Sequence, residues 1–70
     1  MSNLPDIKYP DITVQLTGES GNAFAIIGAV RVALRRADVE KAEIEAFTAE
    51  ASSGDYDHLL QTAMKWVNVE

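Results

Sequence analysis

The stretch from Asp11 to Ala37, DITVQLTGESGNAFAIIGAVRVALRRA, decides the fold, because the spacing of its apolar residues changes part-way along. From Ile12 to Leu16 every second residue is apolar, which predicts a strand with one buried face. The turn-forming residues Thr17–Asn22 follow, and Asn22 is a favourable N-cap. A helix is then predicted from Ala23 to Ala37. Its core-facing stripe consists of Ile26, Ile27, Val30, Ala33, Leu34 and Ala37.

Two further helices and a short strand are predicted in the second half of the chain. The second helix should run from Glu40 to Ser52 and bury a narrow face formed by Ile44, Phe47 and Ala51. Gly54, a residue that can take positive φ, is placed to end it before the third helix. That helix, about Tyr56–Lys65, is capped by Asp55. Its inward residues are predicted to be Leu59, Leu60, Ala63 and Met64, and the alternating tail Trp66–Glu70 is predicted to be a strand.

This order of elements predicts an α+β fold, in which three helices pack on a small two-stranded sheet. Residues 1–10 are expected to form an extended arm, and residues 11–70 a single domain. The pairing direction of the strands is open at this point. Because two short strands form a weak sheet, extension of the sheet across a dimer is one expected remedy.

Composition limits the chemistry of this 70-residue chain. It has no cysteine and a single histidine, so we expect no disulfide, no metal site and no cofactor. Its formal net charge of −5 disfavours direct binding to nucleic acid. The first residues contain no apolar signal segment, and no apolar stretch is long enough for a membrane span. A cytoplasmic protein is therefore expected.

The segments ITVQLTGESGNAFAIIG and GDYDHLLQTAMKWVNVE resemble a small uncharacterised family encoded in bacterial chromosomes, prophages and phage genomes. The shared motifs include GESGNAF and GDYDHLL, and the resemblance extends over nearly the whole chain from Tyr9 onward. It implies a mobile-element setting, in which small acidic proteins often bind host machinery. It implies no activity and no functional residue.

One hypothesis places a small-molecule site at the turn before the first helix. Backbone N–H groups at a helix N-terminus favour anions, and an aromatic ring and guanidinium groups on the same helix suit a nucleotide. The candidate ligand-binding residues are Gly18, Ser20, Gly21, Asn22, Phe24, Arg31 and Arg35. In the competing interpretation, Asn22 only caps the helix and the arginines pair with Glu43 or Glu50.

A second hypothesis places a partner interface on the first helix and on the acidic segment after it. The helix is apolar over more of its circumference than a surface helix needs, which predicts a homo-oligomer. The candidate interface residues are Ala25, Ala29, Val32, Glu40, Glu43 and Glu50. The acidic flank either imitates phosphates or is a solvated surface.

Catalysis is the least favoured function. Asp55, Asp57 and His58 lie close together in sequence but do not converge from one helix, and no serine, cysteine or paired carboxylate has a spacing suited to catalysis with them. We therefore expect a non-catalytic accessory protein that binds and modulates or inhibits a host defence system. The alternatives are a sponge for a nucleotide signal and a structural or assembly protein of a virion.

Overall fold

The computed structural model describes residues 7–15 and 22–70. The elements are one strand, three helices and a second strand, so the predicted α+β fold is confirmed. Their bounds are β1, Tyr9–Val14; α1, Ala23–Arg36; α2, Lys41–Ala51; α3, Tyr56–Trp66; and β2, Val67–Val69. No helix in these residues is both long and apolar enough to cross a membrane.

The two strands lie side by side and run parallel. Parallel strands need a long crossover connection, and here the three helices supply it. Two backbone hydrogen bonds of 2.9 Å lie at the two ends of the strand pair. One runs from the N–H of Lys8 to the carbonyl of Lys65, and the other from the N–H of Glu70 to the carbonyl of Val14. The sheet therefore joins the beginning and the end of the domain.

β1 begins at Tyr9, inside the stretch that was predicted to be an extended arm. The alternation that predicted the strand begins only at Asp11, and Pro10 argued against a longer strand. Pro10 nonetheless lies within β1, and its carbonyl accepts a hydrogen bond from the side-chain amide of Asn68. The β1 register with β2 is irregular between Tyr9 and Thr13.

The core lies between the helices and one face of the sheet. Phe47 of α2 is fully buried and meets the ring of Trp66 edge to face, with 5.5 Å between centroids. The other apolar residues that are buried are Val14, Ile26, Val30, Leu34, Ile44, Ala51, Leu59, Ala63 and Val67. The predicted face of α2 is thus confirmed in full.

Two predicted core residues are exposed instead. Ala37 is the C-cap of α1 and lies at the surface, since the chain turns away from the helix there. Met64 is 53% exposed, because α3 buries Thr62 and Trp66 on its inner side. The polar Thr62 is tolerated inside because its hydroxyl donates to the carbonyl of His58 in the preceding turn, at 2.8 Å.

The N-termini of α1 and α3 are capped as predicted. The Asn22 side chain accepts from the N–H of Ala25 at 3.1 Å, and the Asp55 side chain accepts from the N–H of His58 at 2.9 Å. Each bond satisfies a donor that has no partner within its helix.

The position of the end of α1 agrees with the prediction, but the left-handed turn that follows it was not predicted from the sequence. Asp38 has a φ of 63°, a left-handed conformation that aspartate tolerates better than most residues. The N–H of Asp38 bonds to the carbonyl of Arg35, and the N–H of Val39 bonds to that of Leu34. This bonding pattern is a Schellman motif, and it turns the chain sharply from α1 into α2.

Gly54 ends the α2 segment without adopting the positive φ that glycine allows. Its role is spatial: a Cβ atom at this position would lie 2.8 Å from Cγ and 2.9 Å from Cβ of His58. The His58 ring in turn contacts the carbonyl of Glu50 at 2.9 Å and the hydroxyl of Ser53 at 3.1 Å. Glycine thus allows the α2–α3 turn to pass close beneath the ring.

Gly54→Ala is accordingly expected to lower the free energy of unfolding by about 1–3 kcal/mol, as an overpacked contact does. The urea midpoint measures this change. Gly28→Ala is the control at a concentration where the chain is monomeric: nothing lies within 4 Å of the Cβ that it would add, so it should show no such loss. Equal midpoints for Gly54→Ala and the unmodified protein would contradict the close packing of His58.

Candidate interaction surfaces

A polar cluster fastens β1 to α2 and α3. The ammonium group of Lys8 lies 2.7 Å from Oε1 of Glu43, and the Tyr9 hydroxyl donates to the same oxygen at 3.0 Å. Lys8 also lies 4.3 Å from the centre of the Trp66 ring, on which Tyr9 stacks with 6.0 Å between centroids. This cluster holds the start of β1 against both helices.

The shared carboxylate shifts the pKa of each member of the cluster. Hydrogen bonds from Lys8 and then Tyr9 hold the pKa of Glu43 below its ordinary value. The bond to Glu43 raises the pKa of Lys8. Partial burial, and then the bond to Glu43, raises the pKa of Tyr9. The cluster is therefore strongest where the carboxyl is ionised and both partners keep their protons.

Glu43→Gln is expected to remove an acid-sensitive part of the stability. Because the folded state lowers the pKa of Glu43, the stabilisation is present above the unfolded pKa and disappears as pH falls through the folded pKa. The difference in free energy of unfolding between the two proteins should shrink from about pH 7 to about pH 3. Urea titrations across this range measure it. Glu45→Gln, on the same helix, is the control, and parallel pH profiles for the unmodified protein and Glu43→Gln would refute the role of Glu43.

At alkaline pH the contribution of the cluster to stability depends on pH in the opposite direction. The raised pKa values of Lys8 and Tyr9 mean that their stabilisation is complete below the unfolded pKa and is lost as pH rises through the folded pKa.

An open hollow of about 610 Å³ lies beside β1. It is bounded by the first part of the strand and by the turn between α1 and α2, and none of its lining residues belongs to β2. Four carboxylates surround it, from Asp11, Asp38, Glu40 and Glu43. We call this hollow the β1 groove.

The solvent side of α1 carries an apolar ridge. Phe24 is 87% exposed and Val32 is 46% exposed. Gly28 lies midway between them, and the space that a Cβ atom would fill there is open. Residues spaced by four form a continuous ridge on a helix, so we call Phe24, Gly28 and Val32 the α1 ridge.

The structure places the predicted ligand-binding residues in separate regions. Phe24 lines a hollow of about 220 Å³ beside the start of α3, with Tyr56 on its opposite rim. Arg31 and Arg35 line another hollow, of about 290 Å³, at the start of α2. Gly18, Ser20 and Gly21 lie outside the described residues, and Asn22 caps α1. The ligand site stays a prediction.

Arg31 is held by α2. One guanidinium nitrogen donates to the hydroxyl of Thr48 at 2.7 Å, and the other lies 3.6 Å from Glu45. The predicted pairing with Glu43 or Glu50 is therefore wrong for Arg31, because α2 presents Glu45 and Thr48 to α1. Glu43 instead turns towards β1.

The predicted interface residues differ in accessibility. Val32 and Glu40 are exposed, whereas Ala25 and Ala29 are half-buried. Glu43 belongs to the polar cluster. The carboxylate of Glu50 lies 3.5 Å from the indole nitrogen of Trp66. Val32 and Glu40 are thus the members of the set that are freest to meet another molecule.

The Asp55–His58 segment is occupied by local bonds. Asp55 caps α3, Asp57 accepts from the side chain of Gln61 at 3.0 Å, and the His58 ring joins the end of α2. In residues 7–15 and 22–70, no group of three or more potential ligands could hold a metal ion.

No family model, curated protein or solved structure matches this chain. The family resemblance of the GESGNAF and GDYDHLL segments, and the mobile-element setting that it implies, stay predictions.

Sequence reasoning missed the residues that form the β1 groove and the polar cluster. Lys8 and Tyr9 fall within the predicted arm, and Asp11 has no unusual neighbours in the sequence. The available signal was the pairing of an aromatic and a cation just before a strand. That signal is too common to identify a surface without the fold.

Proposed function

We propose that this protein is a non-catalytic binding protein, which acts as a phage or mobile-element accessory factor and modulates or inhibits a host defence system from the cytoplasm. The observation that supports action by protein contact is the α1 ridge. Exposed aromatic side chains beside open space are typical of protein interfaces. Phe24, which is 87% exposed, forms a continuous apolar ridge with Val32, and contiguous exposed apolar surface is typical of interaction sites.

The occupant that we propose for the α1 ridge is a second copy of the chain. Phe24 and Val32 are each four residues from Gly28, so the ridge has the same large–small–large pattern in both directions. In a two-fold dimer, Phe24 of one copy would therefore meet Val32 of the other, with the helices crossing at Gly28. Ridges formed by residues four apart pack in the commonest crossing of helices, near −50°.

The charges of α1 fit this arrangement. The helix carries no acidic residue, and Arg35 and Arg36 lie in its last turn. When two α1 helices cross in opposite directions, Arg35 and Arg36 of one copy lie at the opposite end of the interface from Arg35 and Arg36 of the other. Repulsion between them is then weakened by distance and by salt.

Gly28→Ala distinguishes an interface from a plain surface helix. In the monomer the added methyl group meets open space, and the helix propensity of alanine should raise the free energy of unfolding by about 0.5–1 kcal/mol. At a helix crossing the same methyl group would hold the helices apart and weaken association. Light scattering and urea unfolding at matched concentrations measure both effects. A variant that is stabilised and still associates equally well would remove the ridge from the interface.

Host binding is tested separately, by a pull-down from host lysate followed by mass spectrometry for proteins and small molecules. We expect a host protein complex to be enriched. A nucleotide sponge would instead shift its melting temperature with a panel of cyclic and linear nucleotides. The sponge and the virion component have less support, because Arg31 is engaged by α2 and no described feature points to a capsid contact.

A further inference from the structure

The side of β1 that faces away from β2 is an open edge. Within the described residues β1 has β2 as its strand partner on one side and no strand on the other. The carbonyl of Val14 accepts from the N–H of Glu70, directly after β2, so the backbone groups of Val14 face β2. Backbone groups of successive residues in a strand point to opposite sides. The N–H and C=O groups of Thr13, the residue before Val14, therefore face outward, while Tyr9 pairs with Val67 of β2 across the irregular part of the register.

Pro10 does not close this edge. A proline lacks a backbone donor and usually limits strand pairing on the side to which its nitrogen points. The carbonyl of Pro10 is bonded to the side chain of Asn68 in β2, so the backbone of Pro10 faces β2. The donor that proline lacks is therefore missing from the side that faces β2 and not from the outward side.

The β1 groove lies on this open side. No residue of β2 or α3 lines it, and its far wall is the turn from Ala37 to Glu40. An extended chain laid along β1 would occupy this space, with alternate side chains directed towards the turn. The six residues of β1 match an extended segment of about six residues.

We propose that this open edge binds an extended, basic segment of a partner protein as an added strand. The inference rests on the proposed function and names the chemistry of the partner. Asp11, Asp38 and Glu40 line the groove, and none of them forms an ion pair among residues 7–15 and 22–70. Lysine or arginine side chains on the added strand would meet these carboxylates, while main-chain hydrogen bonds supply affinity.

A second copy of the chain is a poor occupant for this groove. The residues of β1 itself include Asp11 and no lysine or arginine. Pairing β1 with its counterpart would place like charges on adjacent strands, which is destabilising. The net charge of −5 adds to the repulsion. We therefore assign the proposed contact between two copies of the chain to the α1 ridge. The groove is assigned to a partner of opposite charge.

Fluorescence anisotropy with three labelled peptides of about eight residues tests the proposal. The first alternates lysine and valine, the second alternates glutamate and valine, and the third is the lysine peptide with alternate backbone nitrogens methylated. We expect the lysine peptide to bind, and the other two to bind at least about tenfold more weakly because they lack charge complementarity or strand hydrogen bonds. Absence of binding by the lysine peptide at millimolar concentration overturns the proposal, and so does equal binding by the methylated one.

The site is located with the double variant Asp11→Asn, Glu40→Gln, which removes two charges without adding bulk. It should bind the lysine peptide at least about tenfold more weakly. Asp11→Lys with Glu40→Lys should abolish binding. Asp57→Lys, on the exposed surface of α3, is the control and should bind about as well as the unmodified protein. Binding that survives both double variants removes the groove from the site.

The experiments distinguish failure of the groove proposal from failure of the proposed function. A host protein captured equally by the unmodified protein and by Asp11→Asn, Glu40→Gln would keep the binding function and overturn the groove. Loss of the lysine peptide and of the host protein in the same variant supports both. A chain that binds the lysine peptide through the groove but captures no host protein would overturn the proposed function alone.

Discussion

Phe47→Ala is expected to lower the free energy of unfolding by about 3–5 kcal/mol, which is a large share of the stability of so small a domain. The Phe47 side chain is fully buried and lies against the edge of Trp66, at the point where α2 and α3 meet. Its removal loses the burial of the ring and leaves a cavity that the surrounding side chains can only partly fill. Urea or thermal unfolding followed by circular dichroism measures the change.

Phe24→Ala is the matched control for this experiment when both variants are measured at a concentration where the chain is monomeric, since it makes the same chemical change at a side chain that is 87% exposed. Surface substitutions of this kind usually change stability by no more than about 0.5 kcal/mol. A loss for Phe24→Ala as large as that for Phe47→Ala would show that the burial of Phe47 is not what distinguishes the two sites.

Val32→Glu is expected to weaken self-association by about 3–5 kcal/mol, which corresponds to more than about a hundredfold in the dissociation constant. At the proposed crossing, the carboxylate would be removed from water against the ring of Phe24 in the second copy. In the monomer Val32 is 46% exposed, so the same change should leave the fold nearly as stable. Light scattering at micromolar concentration distinguishes a dimer from the monomer of 7.6 kDa.

The control for Val32→Glu is Met64→Glu, which places the same charge at an exposed apolar position on α3. It should leave association unchanged. If the unmodified chain has the mass of a monomer, or if both variants associate as it does, the α1 ridge is not a dimer interface.

The interior of the domain was largely predictable because the helices are amphipathic. Ile26, Val30 and Leu34 repeat at helical spacing, and the structure buries all three. The caps at Asn22 and Asp55 were predictable for a similar reason, since a polar side chain just before a helix bonds to free N–H groups of that helix. These features depend on residues that are close together in the chain.

The surfaces depended on contacts between distant residues. Lys8 and Tyr9 were predicted to lie in an arm, but Glu43, more than thirty positions away, fixes them against α2. Likewise, Phe24 and Arg31 share one side of α1 by spacing, yet they line separate hollows because α3 meets the first and α2 meets the second. Spacing on one helix does not indicate which neighbour covers each part of it.

The sequence by itself determined the order of the elements, the apolar faces of the helices and both helix caps, because these follow from local periodicity and local hydrogen bonds. The tertiary structure decided the parallel direction of the strands, the left-handed turn at Asp38, the spatial role of Gly54 and the position of the β1 groove. Each of these features depends on the relative orientation that the turns give to successive helices and strands. Small differences in turn geometry change those directions without altering the apolar pattern of the chain.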